Sequence, residues 1–270
     1  NWFLSGTSAL TLEGGGANSP MIAVNQNTAT ISAPLAGTNG LAKSGNGALV
    51  LNSANHLGGG LVVNAGSVNL AGGVTTFGNG ISSIGYLTGT GSLTMTNGSL
   101  ATSGEFRVGG SDQNGAQYRA TGVVTVADST LSVGSLTVAR GNYLDNSISG
   151  TLTLNDGGTL VSTNDAVIEF AGAGHGKLAI NGGNFLVGPA ATKWLVVGYW
   201  DSGASELDIT NGGLFLENSS SIKLVRGNNN TGANVVNQAG GAVTFYSDAG
   251  ATIGGGGNLD LNYAGGAGSS

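Results

Sequence analysis

The sequence predicts an all-β protein: a right-handed parallel β-helix of about nine or ten coils, each with about three short strands. One observation behind this is a repeat of about 28 residues. The other is composition, since 52 of 270 residues are Gly, only 3 are Pro and 8% are charged. Gly adopts positive φ without steric cost, so this chain suits many tight turns. The 40% hydrophobic content indicates a packed core.

The first repeated motif is small–x–apolar–x–apolar, followed by a turn. The average interval between the starts of its copies is about 28 residues. The sixth copy is the weakest, because Asn237 falls where an apolar residue is expected. The copies lie at residues 91–95, 122–126, 150–154, 176–180, 205–209, 233–237 and 257–261.

A second motif keeps the same spacing, and a third short strand lies between the two motifs. Its copies are residues 106–109, 136–139, 168–171, 195–198, 222–225 and 251–254. Three period-2 strands per coil predict a triangular solenoid, with equivalent residues stacked about 4.8 Å apart. The predicted inward column is Leu93, Val124, Leu152, Leu178 and Leu207, and the outward positions include Thr94, Thr125, Thr153 and Asp208.

A turn column is predicted six residues after each start of the first motif. The residue types there tolerate left-handed backbone, and stacked Asn side chains can bond along the axis. Calcium binding is the alternative, but the acidic glycine-rich nonapeptide of calcium-binding β-rolls is missing, so we predict turns and no metal. The column is Asn97, Asp128, Asp156, Gly182 and Asn211.

Charge and chain chemistry limit the partners. The net charge of −6 makes nucleic acid and anionic membranes poor partners. Without Cys there is neither a disulfide nor a thiolate metal site. No apolar run approaches the roughly 20 residues of a membrane-spanning helix. Because the chain starts at Asn1 without a signal peptide, we expect a processed form or a fragment.

Residues 40–70 carry a specific pattern: Leu41-x-Lys43-x-Gly45-x-Gly47, Leu49-x-Leu51, Asn55, a turn at residues 58–60 and Val63-Asn-Ala-Gly66. It resembles the passenger-associated (autotransporter-associated) β-strand repeat of bacterial surface proteins, although Gly60 and Leu61 replace expected Thr residues. The resemblance implies a secreted or surface-displayed β-helix within a larger polypeptide, and it supplies no catalytic residue or cofactor. We therefore predict one continuous solenoid, with less regular coils at 1–90 (the repeat at about 20–70), regular coils at 91–264 and a flexible tail at 265–270.

Catalytic chemistry is poorly supported by the sequence. We expect His56 in the turn of the repeat and His175 in a short solvated loop. A polysaccharide-degrading site needs carboxylates and a basic group on one sheet face. The predicted outward column of the second motif has no carboxylates in adjacent coils and is interpreted as solvent-facing decoration. That column is Arg107, Thr137, Glu169, Val196 and Lys223.

The loops after the second motif occupy the same place in every coil, so they should emerge along one edge. Variable loops on one side of a repeat protein are its usual binding surface. These contain aromatic, amide and charged groups, which suit a glycan or a neighbouring protein. The alternative is that the aromatic residues merely cover the solenoid. The candidate binding residues are Asp112, Tyr118, Arg119, Arg140, Tyr143, Asp145, Tyr199, Trp200, Asp201 and Arg226.

The two ends of the predicted solenoid lack amphipathic caps, which favours end-to-end self-association or continuation in a longer chain. The candidate assembly residues are Trp2, Phe3, Leu4, Leu259 and Leu261. The sequence thus favours an extracellular structural or adhesive surface protein. A glycan-binding module that uses the loops is the alternative, and a polysaccharide-degrading enzyme is the second alternative.

Overall fold

The computed structural model describes residues 1–14, 19–112, 118–141, 147–171, 174–199, 203–218, 220–224, 234–238, 242–245 and 261–263. Every regular element among them is a β-strand, and none of these residues belongs to an apolar helix of membrane-spanning length. The strands are β1 (Trp2–Leu4), β2 (Leu10–Thr11), β3 (Met21–Ala23), β4 (Thr28–Ile31), β5 (Leu35–Gly37), β6 (Leu41–Ser44), β7 (Ala48–Leu51), β8 (Asn55–Leu57), β9 (Leu61–Val63), β10 (Ala65–Leu70), β11 (Gly73–Phe77), β12 (Ser82–Tyr86), β13 (Thr90–Thr96), β14 (Gly98–Gly110), β15 (Thr121–Ala127), β16 (Thr130–Arg140), β17 (Ser149–Leu154), β18 (Thr159–Ser162), β19 (Ala166–Ala171), β20 (His175–Val187), β21 (Trp194–Val197), β22 (Ala204–Leu216), β23 (Ser221–Leu224), β24 (Asn234–Gln238), β25 (Ala242–Phe245) and β26 (Leu261–Tyr263).

The strands stack into three parallel faces, so the predicted solenoid is confirmed. The first face is β1, β4, β7, β10, β13, β15, β17, the starts of β20 and β22, β24 and β26. The second is β2, β5, β8, β11, the starts of β14 and β16, β18, the ends of β20 and β22, and β25. The third is β3, β6, β9, β12, the ends of β14 and β16, β19, β21 and β23.

The core is a set of stacked apolar columns inside the three faces. The predicted inward column from Leu93 to Leu207 is confirmed, since each of its five members is buried and paired in register. Each fully buried Leu contributes about 1.5–3 kcal/mol relative to an exposed one. Because each coil packs only on its neighbours, the stability is distributed along the axis.

Coil length varies along the chain. The register partners Ala29, Leu49 and Val68 define coils of about 20 residues each. From Leu93 to Leu207 the register partners lie further apart in sequence, so the predicted repeat of about 28 residues holds for those coils only. The short coils are those of the passenger-associated resemblance, where Gly-rich corners shorten the connections.

Two predicted registers are wrong. The sixth copy of the first motif starts at Asn234 rather than residue 233, so Val236 points inward and Asn237 outward. Asn237 then donates a 2.8 Å hydrogen bond to Asp208, one coil earlier. In the last described strand Leu261 pairs with Val236, whereas the sequence pattern predicts Leu259 at that inward position. Leu259 and the copy at residues 251–254 lie outside the described residues.

The predicted turn column is partly right. Asn97, Asp128 and Gly182 have φ of 56°, 46° and 99°. At Asp156 and Asn211 the following glycines, Gly157 (68°) and Gly212 (97°), adopt the left-handed conformation instead. Glycine has no Cβ and adopts this conformation without strain, so in these two coils the left-handed position lies one residue later.

Polar ladders do run along the axis, but beside the turn column. Asn181 Nδ2 donates to Asn155 Oδ1 at 3.5 Å, and Thr210 Oγ1 donates to Asn181 Oδ1 at 3.1 Å. Among the described residues, no group of three His, Asp or Glu side chains is placed to hold a metal ion.

The motif residues of the passenger-associated resemblance have structural roles. Lys43 is fully buried at an inward position, where its ammonium donates to the carbonyls of Ser44, Gly45 and Ala65 at 2.9, 2.7 and 3.0 Å. Burial lowers its pKa. Asn55 is also buried: its Oδ1 accepts from the Leu35 amide, and its Nδ2 donates to the Ser53 carbonyl and the Thr75 hydroxyl.

The outward side of the third face is buried rather than solvent-facing. Its column in register is Ser83, Arg107, Thr137, Val167 and Val196, whose exposed fractions are 1, 3, 4, 8 and 0%. The interpretation of this column as surface decoration is therefore wrong. The column also contains Val167 and not Glu169. A second layer of side chains covers this face, and it originates at the corner described next.

Candidate functional site

The predicted loop edge comprises residues 109–121, 139–149, 171–174, 198–204 and 225–232, of which 113–117, 142–146, 172–173, 200–202 and 225–232 lie outside the described residues. The strand pairings place the described parts of the first four segments at the corner between the third face and the first face of the next coil, as the repeat predicts. Backbone bonds hold the bases of the loops, with Ser149 donating to Ala120 at 2.9 Å and His175 to Ile148 at 2.8 Å. Ala120, Ala139 and Ile148 form a small buried apolar cluster beneath the edge.

Four charged side chains from two coils form an ion-pair cluster at this edge. Arg107 Nη2 binds Glu105 Oε2 at 2.7 Å, and its Nη1 binds Asp112 Oδ2 at 2.6 Å. Arg140 lies one coil further, with Nη1 at 3.4 Å from Glu105 Oε1 and Nε at 3.7 Å from Asp112 Oδ1. Thr137 donates a 2.7 Å hydrogen bond to Glu105 Oε1. These contacts neutralise the buried Arg107 and fasten the first loop over the third face.

The cluster shifts the pKa values of its central pair. Burial raises the pKa of Glu105, but the hydrogen bond and charge of Arg107, the charge of Arg140 and the Thr137 bond outweigh it and leave that pKa lowered. Burial likewise opposes the charged form of Arg107, yet Glu105 and Asp112 raise its pKa above the ordinary value. Both residues are therefore ionised at neutral pH.

A β-bulge produces the second part of the site. Pairing between β16 and β19 shifts after Val138–Ile168 and resumes at Arg140–Ala171, so β19 has an extra residue. A bulge re-aims side chains. Here Phe170 reaches the loop edge, where its ring lies 4.3 Å below the Arg140 guanidinium carbon and 4.7 Å from the Tyr199 ring, at 7° to it. Arg140, Phe170 and Tyr199 thus stack through three successive coils.

The sequence-based register of β19 is wrong by two residues, because Val167 and not Glu169 pairs with Thr137. The pattern Ile-Glu-Phe-Ala suggests Glu169 as an outward strand residue, but Glu169 has φ of 58° and is fully buried. It shares this left-handed corner position with Gly109, Ala139 and Gly198. A β-branched or bulky residue would be strained there.

The stack limits what the aromatic residues can bind. A sugar ring packs on an aromatic face, but the faces of Phe170 are covered by Arg140 on one side and Tyr199 on the other. The ring edges and the polar groups of Arg140 and Asp112 remain partly accessible, with side-chain exposures of 25 and 39% for the two polar residues. Recognition at this part of the edge is therefore polar.

Of the other predicted loop-edge residues, the structure describes two. Tyr118 is half-buried, and Arg119 is exposed and engaged in a further contact. Tyr143, Asp145, Trp200, Asp201 and Arg226 lie outside the described residues. Glu105 and Phe170 were not predicted from the sequence as site residues. Glu105 follows a corner of the strand, and the position of Phe170 depends on the bulge. The spacing of Glu105 and Arg107, two residues apart on one strand side, was the available signal.

A second polar cluster lies on the open first face. Lys177 Nζ is 3.0 Å from Glu206 Oε1 and 2.5 Å from Asp208 Oδ2, and Asn237 also binds Asp208. These contacts raise the pKa of Lys177, mainly through the bond to Asp208. Burial raises the pKa of Asp208, but the hydrogen bonds with Lys177, Asn237 and Glu206 and the charge of Lys177 together outweigh it, so this pKa is lowered. A general acid needs a raised carboxyl pKa, which these contacts do not provide.

Both histidines lie in strands rather than in the turn and loop that the sequence predicts. His56 points outward from β8, and its Nδ1 is 2.6 Å from the Thr76 hydroxyl. His175 begins β20, and its Nε2 is 3.9 Å from Glu206 Oε2. Since the Thr76 contact continues a row of outward residues along the second face, His56 stabilises coil stacking.

The candidate assembly end is the first coil. Trp2, Phe3 and Leu4 form β1, with exposed fractions of 49, 65 and 37%, and Leu10 and Met21 of the same coil are exposed at 39 and 65%. β1 pairs with β4 alone among the described strands. These residues present apolar side chains and one unpaired backbone edge.

The fold and the loop edge define a parallel β-solenoid in which the third face is covered and the first and second faces are open. Over 170 residues the chain is 35% identical to the adhesin BmaC autotransporter of Brucella suis biovar 1 (strain 1330). That similarity covers 59% of this chain but only 4% of the length of the adhesin. No protein-family model and no solved structure matches the chain.

Proposed function

We propose that this chain is a non-catalytic adhesive module of a bacterial cell-surface β-helix protein, facing the extracellular medium. The similarity to an autotransporter adhesin carries this proposal. The passenger-associated resemblance at residues 40–70 supports the same conclusion, and so does a solenoid whose loops share one edge. Repeat proteins commonly bind through loops presented in this way.

The loop edge is the proposed adhesive surface, with a cell-surface glycan as its partner. The ion-pair cluster and the Arg140–Phe170–Tyr199 stack fix the bases of the loops across four coils. A rigid base lowers the entropy that is lost when a partner binds. The enzyme alternative has little support, since the Lys177 cluster pairs both of its carboxylates internally and lowers the pKa of Asp208.

Adhesion can be measured with beads coated with the purified chain. We expect saturable bead attachment to host cells or extracellular matrix, reduced by an excess of soluble chain. Albumin-coated beads are the control. Attachment no greater than that of the control on every surface tested would contradict the adhesive function. Antibody labelling of intact producing cells tests the surface location separately, because an internal protein would be labelled only after permeabilisation.

End-to-end association is a second candidate function, favoured by the first coil. Five of the eight large hydrophobic residues that are exposed among the described residues belong to that coil. A copy of this chain stacked head to tail would cover them and continue the parallel pairing, which gives an open filament. We expect sedimentation to show assembly that rises with concentration and is lost in Phe3→Lys/Met21→Lys. Val74→Lys/Val123→Lys, in middle coils, is the matched control. A monomer at every concentration would contradict this function.

A further inference from the structure

Guanidinium groups are concentrated at the loop edge. The sequence has four arginines, and Arg107, Arg119, Arg140 and Arg226 all belong to the end of a third-face strand or to the segment that follows one. Lys43 and Lys177, in contrast, lie in the core and on the first face. Arginine offers planar sets of donors that suit paired oxygen atoms, whereas lysine acts as a point charge. The edge therefore has a donor chemistry that the rest of the described surface lacks.

The two arginines of the ion-pair cluster are bound differently. Arg107 makes the short contacts, 2.6 and 2.7 Å, to one oxygen of each carboxylate. The other oxygens face Arg140 at 3.4 and 3.7 Å, which exceeds the distance of a strong charge-assisted hydrogen bond. Because these contacts are long, the Arg140 guanidinium and the Asp112 carboxylate can each form a hydrogen bond to an added partner. Asp112 and Arg140 therefore form an acceptor and a donor side by side, each partly exposed.

Arg140 is held in position before a ligand arrives. Its guanidinium lies over the Phe170 ring, which is stacked in turn on Tyr199. Fixing a long side chain in advance removes part of the entropic cost of binding. The same stack covers the faces of Phe170, so a ligand at Arg140 and Asp112 is bound through hydrogen bonds rather than by stacking on Phe170.

The charge balance of the cluster selects the ligand class. Arg107 and Arg140 are matched by Glu105 and Asp112, and the chain has a net charge of −6. Neither an anionic nor a cationic ligand therefore gains a net attraction from the cluster, since each would meet two groups of its own sign. A pair of vicinal hydroxyl groups fits, because one can accept from Arg140 while the other donates to Asp112.

We propose that Asp112 and Arg140 form a subsite for a neutral glycan and bind two adjacent hydroxyl groups of one sugar ring. The inference rests on the proposed adhesive function and names the ligand class of its loop edge. It assigns Phe170 and Tyr199 as positioning residues, which act through Arg140. Arg107 and Glu105 hold Asp112 in place and keep the cluster neutral.

The test uses the full chain on an array of neutral hexose and N-acetylhexosamine oligosaccharides, with sialylated and sulfated counterparts, followed by titration calorimetry. We expect binding to neutral glycans that changes little with salt, because no ion pair forms. Arg140→Lys, which keeps the charge but loses the planar donors, and Asp112→Asn should each weaken binding at least about tenfold. Lys177→Ala removes a partly exposed, ion-paired cation on the first face and should leave binding unchanged. Circular dichroism confirms that each variant is folded.

Three results would overturn the subsite. Binding only to sialylated or sulfated glycans, with a steep loss in salt, would make the edge an anion site. Neutral binding that is unchanged in both Arg140→Lys and Asp112→Asn would place the glycan elsewhere. Coated beads that attach to cells while no glycan binds the chain would leave the adhesive function standing and reject this ligand.

Discussion

Lys43 and Arg107 are both buried cations, but their charges are compensated by different groups. The Lys43 ammonium lies against three backbone carbonyls at a corner, whereas Arg107 is held by two carboxylates. Val63 occupies the position of Lys43 one coil later, so Lys43 replaces an apolar core residue where the carbonyls need a donor. Lys43 is therefore a charged residue in the core whose role is to bond to the carbonyl groups of a corner.

Lys43→Met tests that role, since the side chains are similar in length and the thioether donates no hydrogen bond. The Gly45 and Ala65 carbonyls would lose the ammonium donor, and the Ser44 carbonyl would keep only its bond from the Val24 amide, so we expect the free energy of unfolding to fall by about 2–4 kcal/mol. Urea denaturation followed by circular dichroism measures this. Lys193→Met is the control and should change stability by less than about 0.5 kcal/mol. Equal effects of the two substitutions would show that Lys43 contributes no specific bonding.

Glu105 predicts the acid sensitivity of the loop edge. Because the pKa of Glu105 is lowered in the folded state, the carboxylate stabilises the protein above its unfolded-state pKa of about 4.3. That contribution is lost as the pH falls through the lower folded-state value. We expect the unfolding free energy to decline below about pH 4, and less steeply in Glu105→Gln. Glu13→Gln, at an exposed carboxyl, is the control, and an identical slope for Glu105→Gln and the original chain would contradict the assignment.

Glycine corners between the second and third faces determine how closely the coils approach. A Cβ on Gly60 would lie 2.1 Å from the Ile81 carbonyl oxygen, and one on Gly40 would lie 2.1 Å from that of Gly60. Stacked coils are about 4.8 Å apart, so a side chain pointing along the axis has no room. A Thr at position 60, which the resemblance led us to expect, would meet the backbone of the next coil.

Gly60→Ala should therefore be costly. We expect a loss of about 2–3 kcal/mol in unfolding free energy, because the new methyl group forces the corner apart. Gly6→Ala is the matched control, since a Cβ there would meet nothing closer than Ala33 Cβ at 4.0 Å. Thermal denaturation of both variants separates the two cases. A Gly60 variant as stable as the Gly6 variant would mean that the corner relaxes freely.

Strand periodicity in the sequence was sufficient to predict the three faces and the inward column, because burial alternates along first-face strands such as β13, β15 and β17. It was insufficient at β19, where Glu169 occupies the corner position equivalent to Ala139 and the following Phe170 is the extra residue of the bulge. From the sequence alone either Val235 or Val236 could have been the inward residue, and the pairing of Val236 with Leu207 shows that it is Val236. The cover of the third face was also not predictable, since it depends on contacts such as Arg107 to Asp112 between a strand and a loop. The right-handed winding and the number of coils remain predictions.

The whole molecule behaves as a stack, in which each coil contacts its two neighbours and little else. Unfolding free energy in such a protein is close to a sum over coils and their interfaces. The chain should consequently tolerate removal of one complete coil, provided that the register of the strands on either side is kept. Ala48 pairs with Ser67, and Leu49 with Val68, so residues 49–67 make up one coil in phase.

Deletion of residues 49–67 joins Ala48 to Val68 and should give a folded, shorter solenoid. The urea m-value should fall slightly, because it scales with the surface exposed on unfolding, and the loop edge should keep its binding. Deletion of residues 49–58 is the sharper comparison: it removes fewer residues but leaves one coil without its first-face and second-face strands, so apolar columns on both sides lose their partners. We expect that variant to unfold cooperatively at lower urea or to aggregate. If the half-coil deletion were the more stable of the two, the stability of this protein would not reside in coil-by-coil stacking.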